Sequence, residues 1–121
     1  MAAMTNDAKN PLVAQQGLGS ERRAFPRYTF IATADMIEPS TQTRLSGRVS
    51  EISRRGCFID VLNTLPKGTA IHVRITTDTA SFTCSGHIMY EQERMGIGVA
   101  FDPPSPDQQL ILEGWLAELG R

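Results

Sequence analysis

Two short segments carry the residue types in this chain that could do chemistry. The first, Arg22-Arg23-Ala24-Phe25-Pro26-Arg27, contains an R-x-x-x-R spacing from Arg23 to Arg27. The second, Glu51-Ile52-Ser53-Arg54-Arg55-Gly56, contains E-x-S-x-x-G. Together they supply five arginines, a carboxylate, a hydroxyl and a glycine. A guanidinium donates bidentately to O6 and N7 of guanine, stacks on purine faces and forks onto phosphate oxygens. A carboxylate accepts from the N1–H and N2–H₂ donors of the same base. The inventory therefore suits a guanine-bearing phosphate ligand better than covalent catalysis.

Catalytic alternatives find little support. His72 is expected to face outward on a strand, and His87 has no acid or nucleophile motif beside it. The chain has no H-E-x-x-H, no G-x-S-x-G and no paired CxxC, so neither an enzyme, a metal site nor a bound cofactor is expected. Gly96-Ile97-Gly98 lacks the remainder of a phosphate loop and leads into a strand, not a helix. Cys57 and Cys84 read as small buried hydrophobes rather than a redox pair.

The elements that must hold these residues are short. Aromatic and β-branched residues mark Tyr28–Ile37 as a strand ending at Glu38-Pro39-Ser40, and Thr43–Ile52 follows as a second. Gly56 is expected to permit a sharp turn into Cys57–Leu62, where Cys57, Ile59 and Val61 share one face. Thr69–Thr76 alternates with Ile71, Val73 and Ile75 inward, Ser81–Tyr90 forms a fifth strand, and Gly96–Phe101 a sixth. Glu51 and Ser53, two apart at a strand end, should project to one side. Pro26 restrains Phe25 to extended conformations, so the arginine segment reads as an extended lead-in. Six short strands separated by turns argue for a small antiparallel barrel or sandwich.

After Asp102-Pro103-Pro104 the period changes. Ser105 reads as a helix N-cap, with Pro106 at the first helical position and Gln108 able to complete a capping box. Leu112, Trp115, Leu116 and Leu119 fall at helical spacing, and Gly120 is placed to end the helix. The expected fold class is all-β with one C-terminal helix over about residues 105–119, the helix covering one end of the barrel and Trp115 packing there.

A length of 121 residues and an apolar share of 40% fit one globular domain, here residues 21–121. Residues 1–20, rich in Ala, Gln, Asn and Gly without periodicity, read as a flexible tail. No stretch is apolar enough to span a bilayer, and the N-terminus lacks a signal-peptide core, so a cytoplasmic location without membrane insertion is expected. The net charge of −1 conceals an asymmetry: residues 21–56 hold seven arginines against four acids, while residues 57–121 hold four basic residues against eight acids. A local, all-arginine face on a near-neutral chain favours a small anionic ligand over nucleic acid.

These residues, in this order, resemble the PilZ domain family of bacterial cyclic di-GMP receptors. The resemblance runs over roughly residues 21–117. It rests on Glu21-Arg22-Arg23, Arg27, Ser53, Gly56, Leu65-Pro66-Lys67-Gly68, Gly98-Val99-Ala100-Phe101 and the closing helix. It implies a six-stranded antiparallel PilZ-type β-barrel that binds cyclic di-GMP, often as an intercalated pair. On that pattern Arg23 and Arg27 would hold guanine and phosphate, and Arg22 would add a contact. Ser53 would hydrogen-bond the ligand, Gly56 would shape the turn, and Tyr90 lies where some relatives set an aromatic ring against a guanine. Glu51 departs from the Asp or Asn of the family pattern. It keeps the acceptor chemistry but adds a methylene, so its carboxylate must retract or the ligand must shift.

The expected function is a stand-alone receptor or adaptor in which cyclic di-GMP orders residues 20–28 over the barrel and creates a surface for a protein effector. Two other readings stay open: a degenerate PilZ-like adaptor that works through protein contacts with little or no ligand, and a small-barrel nucleic-acid binder. The sheet offers no run of exposed aromatics interleaved with Lys and Arg, which single-strand platforms require.

Overall fold

The computed structural model describes residues 25–121. Six strands alternate with turns in chain order: β1 Tyr28–Glu38, β2 Thr43–Ser53, β3 Gly56–Asp60, β4 Ala70–Thr76, β5 Ser81–Gln92 and β6 Gly96–Phe101, followed by α1 Pro106–Leu119. They close into an antiparallel barrel in the order β1-β2-β3-β6-β5-β4. The expected barrel and helix are both present. The strand expected over Cys57–Leu62 is shorter, because β6 begins at Gly96 opposite Asp60 and gives the chain beyond it no partner.

Alternation builds the core. Ala32, Ala34 and Met36 of β1 point inward, as do Ile71, Val73 and Ile75 of β4 and Phe82, Cys84 and Ile88 of β5. Ile59, Ile97 and Val99 complete the filling from β3 and β6. α1 plugs one end. Its Leu112 is fully buried, and Trp115 lies with ring centroids 5.1 Å from Phe30 and 6.2 Å from Phe82.

The helix caps differ from expectation. Ser105 is the N-cap and Pro106 opens the helix, but Ser105 makes no side-chain capping bond. Gln108 cannot complete a capping box because its Oε1 instead accepts the backbone N–H of Thr83 at 2.7 Å, tying the first turn to β5. Gly120 ends the helix at φ −85°, outside the left-handed region. Its lack of a side chain is used for contact, since a Cβ there would stand 3.2 Å from the Tyr28 hydroxyl.

At the opposite side of β1, the turn into β2 is organised by Glu38. Its carboxylate accepts from the Thr41 and Ser40 hydroxyls and from their backbone N–H groups, which hold its pKa down at about 2.

Cys57 and Cys84 are free, buried thiols, as expected. Burial pushes both upward, Cys84 to about 12 with a further push from Asp102. Since only the thiolate is nucleophilic, native protein at pH 8 should resist iodoacetamide. Intact-mass measurement should show no alkylation over an hour and two additions in denaturant. Rapid labelling of the folded chain would contradict the buried placement.

Candidate functional site

The site is built on the outside of the barrel, where two irregularities change the phase of the strands. In β2 the register slips between Val49 and Glu51, so Val49 and Ile52 both face inward although three residues apart. Uninterrupted alternation from Val49 would have sent Glu51 into the core; the bulge leaves Glu51 and Ser53 together on the outer face. In β5 a second slip between Ile88 and Tyr90 likewise turns Tyr90 out of the inward series Phe82, Cys84, Ile88. Glu51 and Ser53 share a side through their spacing, as expected, and the bulge before them makes that side the outer one.

The pairing then sets a single row across four strands. Glu51 opposes Phe58, Phe58 opposes Gly98, and Gly98 opposes Tyr90. The rings of Phe58 and Tyr90 stack with centroids 6.1 Å apart and planes 29° from parallel. They lie flat because β6 offers no side chain beneath them. A Cβ on Gly98 would meet the Tyr90 ring at 2.3 Å, and one on Gly96 would meet the Phe58 ring at 2.8 Å. The Gly96-Ile97-Gly98 segment, which fits no phosphate loop, is the floor of an aromatic shelf.

An open cleft of about 250 Å³ lies over this row. Arg27, Glu51, Ser53, Gly56 and Tyr90 all line it, together with Phe25, Arg55, Phe58 and Met89. Arg27 forms an ion pair with Glu51 and reaches the Tyr90 hydroxyl. Partial burial alone would lower its pKa, but Tyr90 and Glu51 outweigh that and raise it, so the guanidinium is firmly charged. Ser53 braces its own turn: its Oγ accepts the Arg55 N–H at 3.2 Å and donates to the Gly56 carbonyl at 3.4 Å.

Gly56 serves a different purpose from the one expected. Its backbone is not left-handed, the positive-φ residues being Gln42, Arg94 and Gly68 among those described. What the position requires is the missing Cβ, which would stand 2.1 Å from the Val99 carbonyl oxygen on β6.

Of the seven arginines of residues 21–56, the five among the described residues do not form one basic face. Arg22 and Arg23 lie outside the described residues. Arg54 forks onto Glu113 of α1, with Nη2 donating to Oε1 at 3.0 Å. Arg55 covers the Phe25 ring, its guanidinium carbon 4.8 Å from the centroid. Arg44 and Arg48 point outward elsewhere on β2. The lead-in from Phe25 onward is thus laid against the barrel by Arg54, Arg55 and Glu51, whereas the rest of the segment expected to order on ligand binding lies outside the described residues.

Sequence reasoning missed Phe58, Phe25 and the two floor glycines. The only available signal was a pair of glycines two apart in a strand of Ile, Val and Phe, the mark of a close approach.

The PilZ domain profile matches residues 21–118. The chain belongs to the PilZ domain family. Its barrel and C-terminal helix match solved PilZ structures of low sequence identity. It is similar to the PilZ domain of CeSA from a cellulose-synthesizing bacterium, with 13% identity, a TM-score of 0.62, and coverage of 79% of this chain and 99% of that one. It is similar to the PilZ domain of YcgR from Escherichia coli, solved with c-di-GMP, with 13% identity, a TM-score of 0.64, and coverage of 83% and 92%. The Bacillus subtilis inhibitor of motility MotI/DgrA gives 11% identity and a TM-score of 0.66; 80% of this chain aligns, with half of that one. A comparison with curated proteins gives no match.

The aromatic shelf of this PilZ barrel yields a direct test. In Gly98→Ala the new Cβ meets a side chain rather than backbone, so Tyr90 can swing aside at a cost of roughly 1 kcal/mol. The shelf would be lost while the barrel stays folded. Near-ultraviolet circular dichroism in the tyrosine band should change and the far-ultraviolet spectrum should not; an unchanged tyrosine signal would argue against the stacked arrangement.

Proposed function

We propose that the protein is a cyclic di-GMP receptor acting as an adaptor in the bacterial cytoplasm, and that the cleft over the Glu51–Phe58–Gly98–Tyr90 row takes the nucleotide. The observation that carries this is convergence: a charged guanidinium, a carboxylate, a hydroxyl and a stacked aromatic pair all border one cleft. In this reading Tyr90, backed by Phe58, stacks on a guanine, and Arg27 turns from Glu51 to a phosphate or guanine acceptor. Glu51, released, accepts from the guanine N1–H and N2–H₂. Arg22 and Arg23 complete the clamp as the preceding chain folds over, and the closed lead-in presents a new surface to a protein effector. Membership of the family and the cyclic di-GMP bound to the YcgR PilZ domain support the ligand assignment.

Calorimetry tests it. Cyclic di-GMP should give saturable heat at micromolar affinity, about 8 kcal/mol of binding free energy. GTP and cyclic di-AMP should give none at the same concentrations. Absence of heat with cyclic di-GMP would sink the reading.

The second reading is an adaptor that binds ligand weakly or not at all, and one observation favours it. Arg27 and Glu51 satisfy each other, so a nucleotide must replace an existing ion pair. Glu51→Asp separates the two readings, because the shorter carboxylate holds Arg27 less closely. In the receptor reading the substitution preserves or tightens cyclic di-GMP binding.

A further inference from the structure

The barrel is splayed at one end. β2 runs for 11 residues but β3 for only 5, and β3 pairs with β2 only from Arg48 to Ser53. Thr43–Ser46 is therefore bonded to β1 on one edge and faces no strand on the other among the described residues. At Gly47 the chain leaving β3 closes in, since a Cβ there would stand 2.4 Å from the Asp60 carbonyl oxygen. Below that point lies a groove of about 640 Å³ between Arg44–Ser46, the chain after Asp60, and the β5–β6 tip at Arg94 and Met95.

Three further features distinguish this groove from an ordinary barrel mouth. Leu62 is 81% exposed and Met95 63% exposed, so apolar side chains stand on its rim. Arg44 and Arg94 both line it and neither makes an ion pair among the described residues, while the one carboxylate in the lining, Asp60, accepts the Ser50 hydroxyl at 3.2 Å. Arg94 also holds a left-handed backbone at φ +63°, an uncommon conformation for arginine at the hairpin tip. An unpaired strand edge is a template for another chain, and natural barrels usually remove it by closure.

We propose that this groove is a docking site for an extended segment of a partner protein that alternates acidic and apolar side chains. The segment adds a short strand to the free edge of Thr43–Ser46. Its backbone takes up the unpaired peptide groups, its carboxylates meet Arg44 and Arg94, and its apolar side chains contact Leu62 and Met95. Peptide hydrogen bonds supply attachment, and the two arginines select acidic over basic sequences. The proposal is independent of the nucleotide cleft and needs no cyclic di-GMP.

The test uses the full chain and a fluorescein-labelled octapeptide alternating glutamate and valine. Three comparison peptides accompany it: one alternating lysine and valine, one with alternate amides N-methylated, and one of scrambled glycine and glutamate. Anisotropy should rise with the Glu/Val peptide alone, and amide shifts in ¹H–¹⁵N spectra should cluster at Thr43–Ser46, Asn63 and Arg94. The exposed pair R44E/R94E, confirmed as folded by the same spectra, should weaken binding by at least about tenfold. Equal binding of the lysine or N-methylated peptide, shifts centred elsewhere, or self-association through this edge in sedimentation would overturn the proposal.

Discussion

Arg27→Ala should reduce cyclic di-GMP affinity by at least about tenfold while leaving the empty domain nearly as stable as before. The two halves of that expectation have different origins. Arg27 and Glu51 are 31% and 41% exposed, and partly exposed ion pairs contribute only about 0–1 kcal/mol. At about 4–8 °C per kcal/mol for a domain of this size, the melting temperature should fall by no more than several degrees. In the proposed complex the same guanidinium makes charge-assisted hydrogen bonds worth about 1.5–3 kcal/mol each, so losing even one removes about tenfold or more in affinity. Calorimetry and a thermal melt on one preparation read both quantities. Unchanged ligand heat would remove Arg27 from the clamp. A collapse in melting temperature would make it a structural residue.

Gly56→Ala should do the opposite, lowering stability sharply whether or not ligand is present. The obstacle to a Cβ at this position is the Val99 carbonyl oxygen at 2.1 Å, a backbone atom bonded into the barrel ladder. No rotamer relieves that contact, so β3 and β6 must separate where Gly56 pairs with Ala100 and Cys57 with Val99. Overpacking of this kind costs about 1–3 kcal/mol, and the upper end applies where backbone must move. A loss of about 3 kcal/mol corresponds to a fall of about 12–24 °C in melting temperature. Denaturant unfolding should show a lower midpoint with an unchanged slope. Comparison with Gly98→Ala is decisive: both add one methyl group to the outer face, yet only Gly56 meets a backbone atom. Similar melts for the two would contradict the packing described.

The barrel was legible because β1, β3, β4 and β5 as far as Ile88 obey simple alternation. β4 is the clearest case, with Ile71, Val73 and Ile75 buried and His72 and Arg74 exposed, as period two requires. α1 was legible from its change of period and from Pro106. The site was legible in its residue types but not in its construction. Nothing local to Val49-Ser50-Glu51 announces a bulge, because the slip is a property of the pairing with Phe58 and Ile59 across the gap. Phe58 escaped notice for a similar reason, since its partner Tyr90 lies on a strand that is not its sequence neighbour and meets it only through Gly98. The capping box failed because Gln108 found a tertiary acceptor role at Thr83. The supposed arginine face dissolved because Arg54 found a carboxylate on α1, distant in sequence.

The two strand slips also divide the protein into parts that can change separately. Inward residues such as Ile52, Ile59 and Ile88 decide whether the chain folds, while Glu51, Phe58 and Tyr90, one or two positions away, decide what it touches. Combinatorial libraries confined to those outward positions should therefore yield mostly soluble, folded variants. The scaffold is well suited to being aimed at planar anions of different shapes without redesign of its interior.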